Sequence, residues 1–153
     1  MARALGPLAA VLALAVLAAL AWGLLGSRGG GIEVSEEKAV VLPGGIAGVY
    51  MTITNNYGEE VCIVGVELRS HPGARAEIHQ TRAIGERVEM VPVERLCIPP
   101  ESSVRLKPGG YHIMVTGLGG SASLEDNLVM DLILDNGDRI EVIVEVSAAK
   151  IPE

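Results

Sequence analysis

The chain is 153 residues long, 49% hydrophobic and 20% charged, with a formal net charge of −7. That length suits one domain with one core once a terminal segment is set aside. The first thirty residues hold Arg3 and Arg28 and no acid, so the remainder carries −9, two units below the whole chain's −7. A domain this acidic is a poor candidate for nucleic-acid or anionic-lipid binding, which rely on basic patches.

Leu5 to Leu25 (LGPLAAVLALAVLAALAWGLL) is apolar throughout and carries no charge. As a helix, such a run is about 31 Å long, the thickness of a bilayer's hydrocarbon core. The expectation is an N-terminal hydrophobic helix within residues 1–26, serving as a signal anchor, with Trp22 at the interface. A cleaved signal peptide is the alternative. Its h-region would be shorter, about 7–15 residues, and the A-x-A-like site Ala19-Leu20-Ala21 falls inside the apolar run. No cysteine lies nearby to carry a lipid. Either way, export of the acidic C-terminal part is expected. Residues 27–31 (SRGGG) read as a flexible linker, and 32–150 as the folded domain.

From there the pattern has a period of two and no helical stripe. Candidate strands are Glu33–Val41, Gly48–Asn55, Glu60–Leu68, Ala74–His79, Arg87–Val91, Ser103–Leu106, Tyr111–Thr116, Leu128–Leu134 and Arg139–Val146. Asn55-Asn56-Tyr57-Gly58 and Asp135-Asn136-Gly137-Asp138 are turn signals, the second with Asn-Gly at its centre. Many short strands separated by turns indicate an all-β antiparallel sandwich or barrel.

Cys62 and Cys97 are the two cysteines, 35 positions apart in strand-like apolar surroundings. Downstream of an export segment, an even count points to a disulfide. Two separate buried thiols and a pair of copper ligands are the other readings of the same residues.

The chemistry-bearing stretch is Lys107 to Leu118, KPGGYHIMVTGL. Pro108, Gly109 and Gly110 mark a turn, and the strand after it carries His112 and Met114 two positions apart, hence on one face. Met90 lies 22 positions before His112, and His79 lies 11 before Met90, so the set reads His-x10-Met-x21-His-x-Met. Thioethers are soft and suit Cu(I), and imidazole suits copper as well. Without carboxylate or thiolate, the set argues against calcium, magnesium and structural zinc.

This spacing, with its GGYHIM core, resembles that of the periplasmic copper(I) chaperone family PCuAC, over roughly Ala47 to Val146. The resemblance implies a cupredoxin-like Greek-key β-sandwich binding one Cu(I) per chain through His79, Met90, His112 and Met114. It also implies an extracytoplasmic metallochaperone that is not an enzyme. Its partner would be a copper-accepting protein, such as the haem-copper oxidase subunit that holds a dinuclear copper centre. Met51 and Met130 read as core, His71 as a loop residue, and Tyr111 as packing on the opposite face from His112. The segment between His79 and Met90 (QTRAIGERVE) is more charged than the family's usual loop, and Thr116 replaces a frequent Met or Leu. A blue-copper electron carrier is disfavoured, because Cys97 is 15 positions from His112 rather than on one ligand loop. No nucleophile elbow or phosphate loop supports an enzyme. The competing function is a non-metal exported sandwich used for adhesion or partner binding.

Overall fold

The period-two pattern resolves into eleven strands in the computed structural model, which describes residues 30–119 and 127–148. They are β1 (Ile32–Leu42), β2 (Ile46–Asn55), β3 (Val61–Leu68), β4 (Arg75–Ile84), β5 (Arg87–Pro92) and β6 (Leu96–Ile98). The remainder are β7 (Ser102–Leu106), β8 (Tyr111–Thr116), β9 (Leu128–Leu134), β10 (Arg139–Val144) and β11 (Val146–Ala148). One sheet runs β11-β1-β2-β8-β4-β5, and the other β10-β9-β3-β6. β2 serves two partners along one edge: Ala47–Val49 pair with β8, and Met51–Asn55 pair with β7. The described part is all-β, as expected. Among the described residues no helix is long and apolar enough to cross a membrane. The expected N-terminal hydrophobic helix falls on residues outside that description.

Alternation builds the core. Ala47, Val49, Met51 and Ile53 of β2 point inward with Ile113 and Val115 of β8. Leu128, Met130, Leu132 and Leu134 of β9 belong to the same buried cluster, with Val142 and Val144 of β10. Each buried aliphatic side chain contributes about 1.5–3 kcal/mol of transfer free energy, and Met51 and Met130 are core fillers as read from the sequence.

Two buried polar groups, Asn55 and Asp131, are held by polar partners. Asn55 is fully buried at the end of β2; its amide donates to the carbonyls of Glu59, Ile98 and Pro99, and its oxygen accepts from the Tyr57 N–H. Asp131 is buried on the outer face of the smaller sheet, where its carboxylate meets the guanidinium groups of Arg69 at 3.3 Å and Arg139 at 3.1 Å. Arg139 also bonds Glu67, and Arg69 bonds Glu141. Hydrogen bonds to Glu67 first and Asp131 second push the Arg139 pKa above its ordinary value.

Cys62 and Cys97 stand directly opposite each other in the β3–β6 ladder, and their sulfurs are bonded at 2.13 Å. Glu60 lies beside them, its carboxylate 4.0 Å from the Cys62 sulfur. With both sulfurs in one bond, this trio has no thiolate to offer a metal.

Three boundaries depart from the sequence reading. β4 runs five residues past His79 to Ile84, forming a hairpin with β5 over the two-residue Gly85-Glu86 turn. The arm's outer part is exposed on both faces, so it has no apolar alternation to read. β6 was not expected, because three residues before a Pro-Pro pair are too few for a periodic signal. The last candidate strand divides at Glu145: its carbonyl accepts from the Ala39 N–H, and the chain passes from the smaller sheet to pair in parallel with β1.

Candidate metal centre

The turn before β8 is built by its own residues. Pro108 and Gly109 occupy the corner, Gly109 with φ of 78°, and the Gly110 N–H closes on the Lys107 carbonyl at 3.0 Å. A positive φ at the third position of a turn is the place for glycine. The Lys107 N–H then bonds the Tyr111 carbonyl at 2.8 Å, which starts β8 in fixed register.

That register assembles the site. Along the antiparallel β4–β8 pair, His79 faces His112 and Glu77 faces Met114. On these strands Ala76, Ile78, Ile113 and Val115 point into the core, so Glu77, His79, His112 and Met114 share the opposite face. Across β4 the next strand, β5, places Met90 opposite Thr81, two residues from His79 and therefore on that same face. Diagonal neighbours of this kind lie within reach of long side chains. All four residues singled out in the sequence thus share one outer face, spread over three adjacent strands.

Their surroundings differ. The His79 and His112 ring centroids are 6.0 Å apart, with planes tilted by 41°. His112 is buried, and the His79 side chain is only 12% exposed. Met114 is half-buried beside β2, opposite Gly48, over which the Tyr50 hydroxyl lies. Met90 is on the edge arm and 56% exposed. His112 Nδ1 is 3.2 Å from the Gly110 carbonyl, which also accepts the Thr81 N–H. A carbonyl oxygen only accepts, so this bond puts the proton on His112 Nδ1 and leaves Nε2 free. Both His79 ring nitrogens are buried without any hydrogen-bond partner. Buried polar groups are nearly always paired, and an orphaned imidazole suits a ligand position.

The four sequence-predicted residues offer two imidazoles and two thioethers, a set chemically suited to a soft monovalent ion, and Glu77 adds a carboxylate to the same face. Glu77 was not singled out in the sequence. Its Oε2 lies 3.7 Å from His79 Nε2, and its Oε1 is held by Arg75 at 2.8 Å. The signal was the Glu-x-His spacing on a strand, which places both side chains on one face. His71 lies apart in the loop after β3, its Nδ1 2.8 Å from the Ser70 hydroxyl, and Tyr111 packs against the core.

Fold and site together define an all-β domain presenting a His/Met face at one sheet surface. The sequence profile of the LpqE-like family, described as "Putative lipoprotein LpqE-like", matches residues 32–146, and the chain belongs to that family. Solved structures show the same fold. An apo PCuAC domain from PmoF1 aligns with a TM-score of 0.60 at 20% identity, over 76% of this chain and 93% of that one. A copper-bound PCuAC domain from PmoF2 aligns with a TM-score of 0.59 at 19% identity, over 76% and 92%. The solution structure of apo-DR1885 from Deinococcus radiodurans aligns at 0.52 and 22% identity, over 82% and 87%. No curated protein matches the sequence.

Proposed function

We propose that this domain binds one Cu(I) through His79, Met90, His112 and Met114 and hands it to another protein outside the cytoplasm. The observation that carries the reading is convergence: residues spaced His-x10-Met-x21-His-x-Met lie on one face of three adjacent strands. Two of them are buried imidazoles, one with both nitrogens unpartnered. The PCuAC fold, which one of the similar structures displays with copper bound, supports the choice of cargo. Four neutral ligands leave the ion its single positive charge, and they hold it less tightly than thiolates would, which suits a carrier.

Extracytoplasmic placement is supported by the family's description as lipoproteins and by the apolar segment 5–25. The two cysteines of this sequence are joined within the domain, so we assign membrane attachment to that apolar segment rather than to a lipidated cysteine. The proposed recipient, a haem-copper oxidase subunit with a dinuclear copper centre, rests on the family resemblance alone. Anaerobic Cu(I) titration of the protein against a competing chelator tests the reading. One equivalent bound supports it; no binding leaves the non-metal partner-binding module in its place.

A further inference from the structure

Glu77 is a carboxylate on the same face as the four neutral donors. It stands two residues before His79 on β4 and directly across from Met114 on β8. Arg75 fixes one of its oxygens at 2.8 Å, and the other is 3.7 Å from His79 Nε2. That distance is longer than a hydrogen bond and closes with a small side-chain adjustment. Among the described residues, His79 has no hydrogen-bond partner at either nitrogen.

We infer that Glu77 is a positioning residue that holds His79 in its Nε2–H tautomer and turns Nδ1 toward the metal. A carboxylate accepts and never donates while ionised, so the imidazole beside it must offer N–H. Ligating histidines commonly give their second ring N–H to a carboxylate or backbone carbonyl, which fixes tautomer and ring orientation. His112 already follows that rule with the Gly110 carbonyl at Nδ1. The two facing rings are therefore held in opposite senses, His79 presenting Nδ1 and His112 presenting Nε2. The metal half of this inference rests on the copper reading; the tautomer half concerns the metal-free protein and stands apart from it.

The test uses two-bond 1H–15N correlation of the histidine rings in uniformly 15N-labelled full-length protein, first without metal at a pH where the rings are neutral. The expected spectrum has His79 protonated at Nε2 and His112 at Nδ1. Glu77→Ala should give His79 a mixture of both tautomers and leave His112 unchanged, with backbone amide shifts reporting an intact fold. Glu77→Gln should keep most of the preference, because its amide oxygen still accepts. A His79 found as Nδ1–H in the wild type, or unaffected by Glu77→Ala, overturns the positioning role. Cu(I) is then added. A shift confined to Nδ1 of His79 and Nε2 of His112 supports the full inference, as does a loss of Cu(I) affinity of about 10–100-fold in Glu77→Ala. Copper moving His79 Nε2 instead overturns the inference while the copper reading survives. Copper leaving both rings untouched overturns the copper reading, and the metal-free tautomers then report on Glu77 by themselves.

Discussion

His79 and His112 face each other across the β4–β8 ladder with ring centroids 6.0 Å apart, both enclosed on the outer face of the larger sheet. Two metal–nitrogen bonds of about 2.0–2.1 Å plus two ring radii are of this same order. The proposed ion therefore asks for no change of strand register.

The thioethers flank this pair unequally, which makes the first prediction asymmetric. Met114 is half-buried between β2 and β4, whereas Met90 rides the exposed edge arm. Met114→Leu and Met90→Leu conserve volume, so stability should change by less than about 1.5 kcal/mol in each. Cu(I) affinity should fall at least about tenfold, or roughly 1.4 kcal/mol, with Met114→Leu the more damaging. Chelator competition on both variants checks this. Unchanged affinity in the pair would remove both residues from the ligand set.

The disulfide gives the second prediction. Cys62 and Cys97 are joined across β3 and β6 with 35 positions between them. Closing a loop of that length stabilises by about 3–4 kcal/mol on the chain-entropy model. The double Cys→Ala variant should lose about that much in denaturant melts while still binding one Cu(I), because neither sulfur is a ligand. Non-reducing mass spectrometry of exported protein should read two hydrogens fewer than the dithiol. A copper stoichiometry that falls with the cysteines would contradict the assignment.

How far the sequence reaches is visible in these residues. The GGYHIM stretch placed His112 and Met114 on one face because strand alternation is a local property. The apposition of His79 to His112 is different in kind: it depends on which strands pair and in what register. Alternation cannot state that, and only the family resemblance hinted at it. β6 is not legible in the sequence, because Leu96–Ile98 is held by its partner β3 rather than by any pattern of its own. The β4–β5 arm beyond His79 leaves no trace in the alternation, because its residues bury neither face. Glu77 is silent in the sequence because a lone acid on a strand ordinarily marks a solvated position, and only Arg75 and His79 on the same face give it a task.

A third prediction concerns Asn55. Its amide ties the end of β2 to the carbonyls of Glu59, Ile98 and Pro99 in a fully buried setting. Asn55→Ala strands those carbonyls and opens a small void. Left unsatisfied, buried groups cost about 1–3 kcal/mol, so a loss of about 3 kcal/mol is expected, with copper binding retained in the folded fraction. Equilibrium urea unfolding measures it, and a change below about 0.5 kcal/mol would refute the role given to this side chain.

The membrane assignment is tested by fractionation. An uncleaved segment 5–25 keeps the protein with membranes after a carbonate wash and preserves its N-terminal sequence. Recovery of a soluble form beginning near Trp22 or later would show cleavage instead.

The last prediction joins the turn to the site. Gly109 sits at φ of 78° with nothing within 4 Å of where a Cβ would stand, so an added methyl meets no clash. What Gly109→Ala costs is conformational: about 1–2 kcal/mol for an L-residue held in the left-handed region. Gly58 also has open space around its missing Cβ but lacks the positive φ, so Gly58→Ala serves as the control. There the change should be neutral or slightly stabilising, because it narrows the unfolded ensemble. The Gly110 carbonyl that holds His112 Nδ1 belongs to the same turn, so strain at Gly109 should also loosen that ring. Thermal melts of the two variants should separate by about 4 °C for each kcal/mol of difference, and Gly109→Ala alone should weaken Cu(I) binding, by less than the methionine variants do. Equal melting points for the two alanine variants would mean that the turn geometry is not what sets the start of β8.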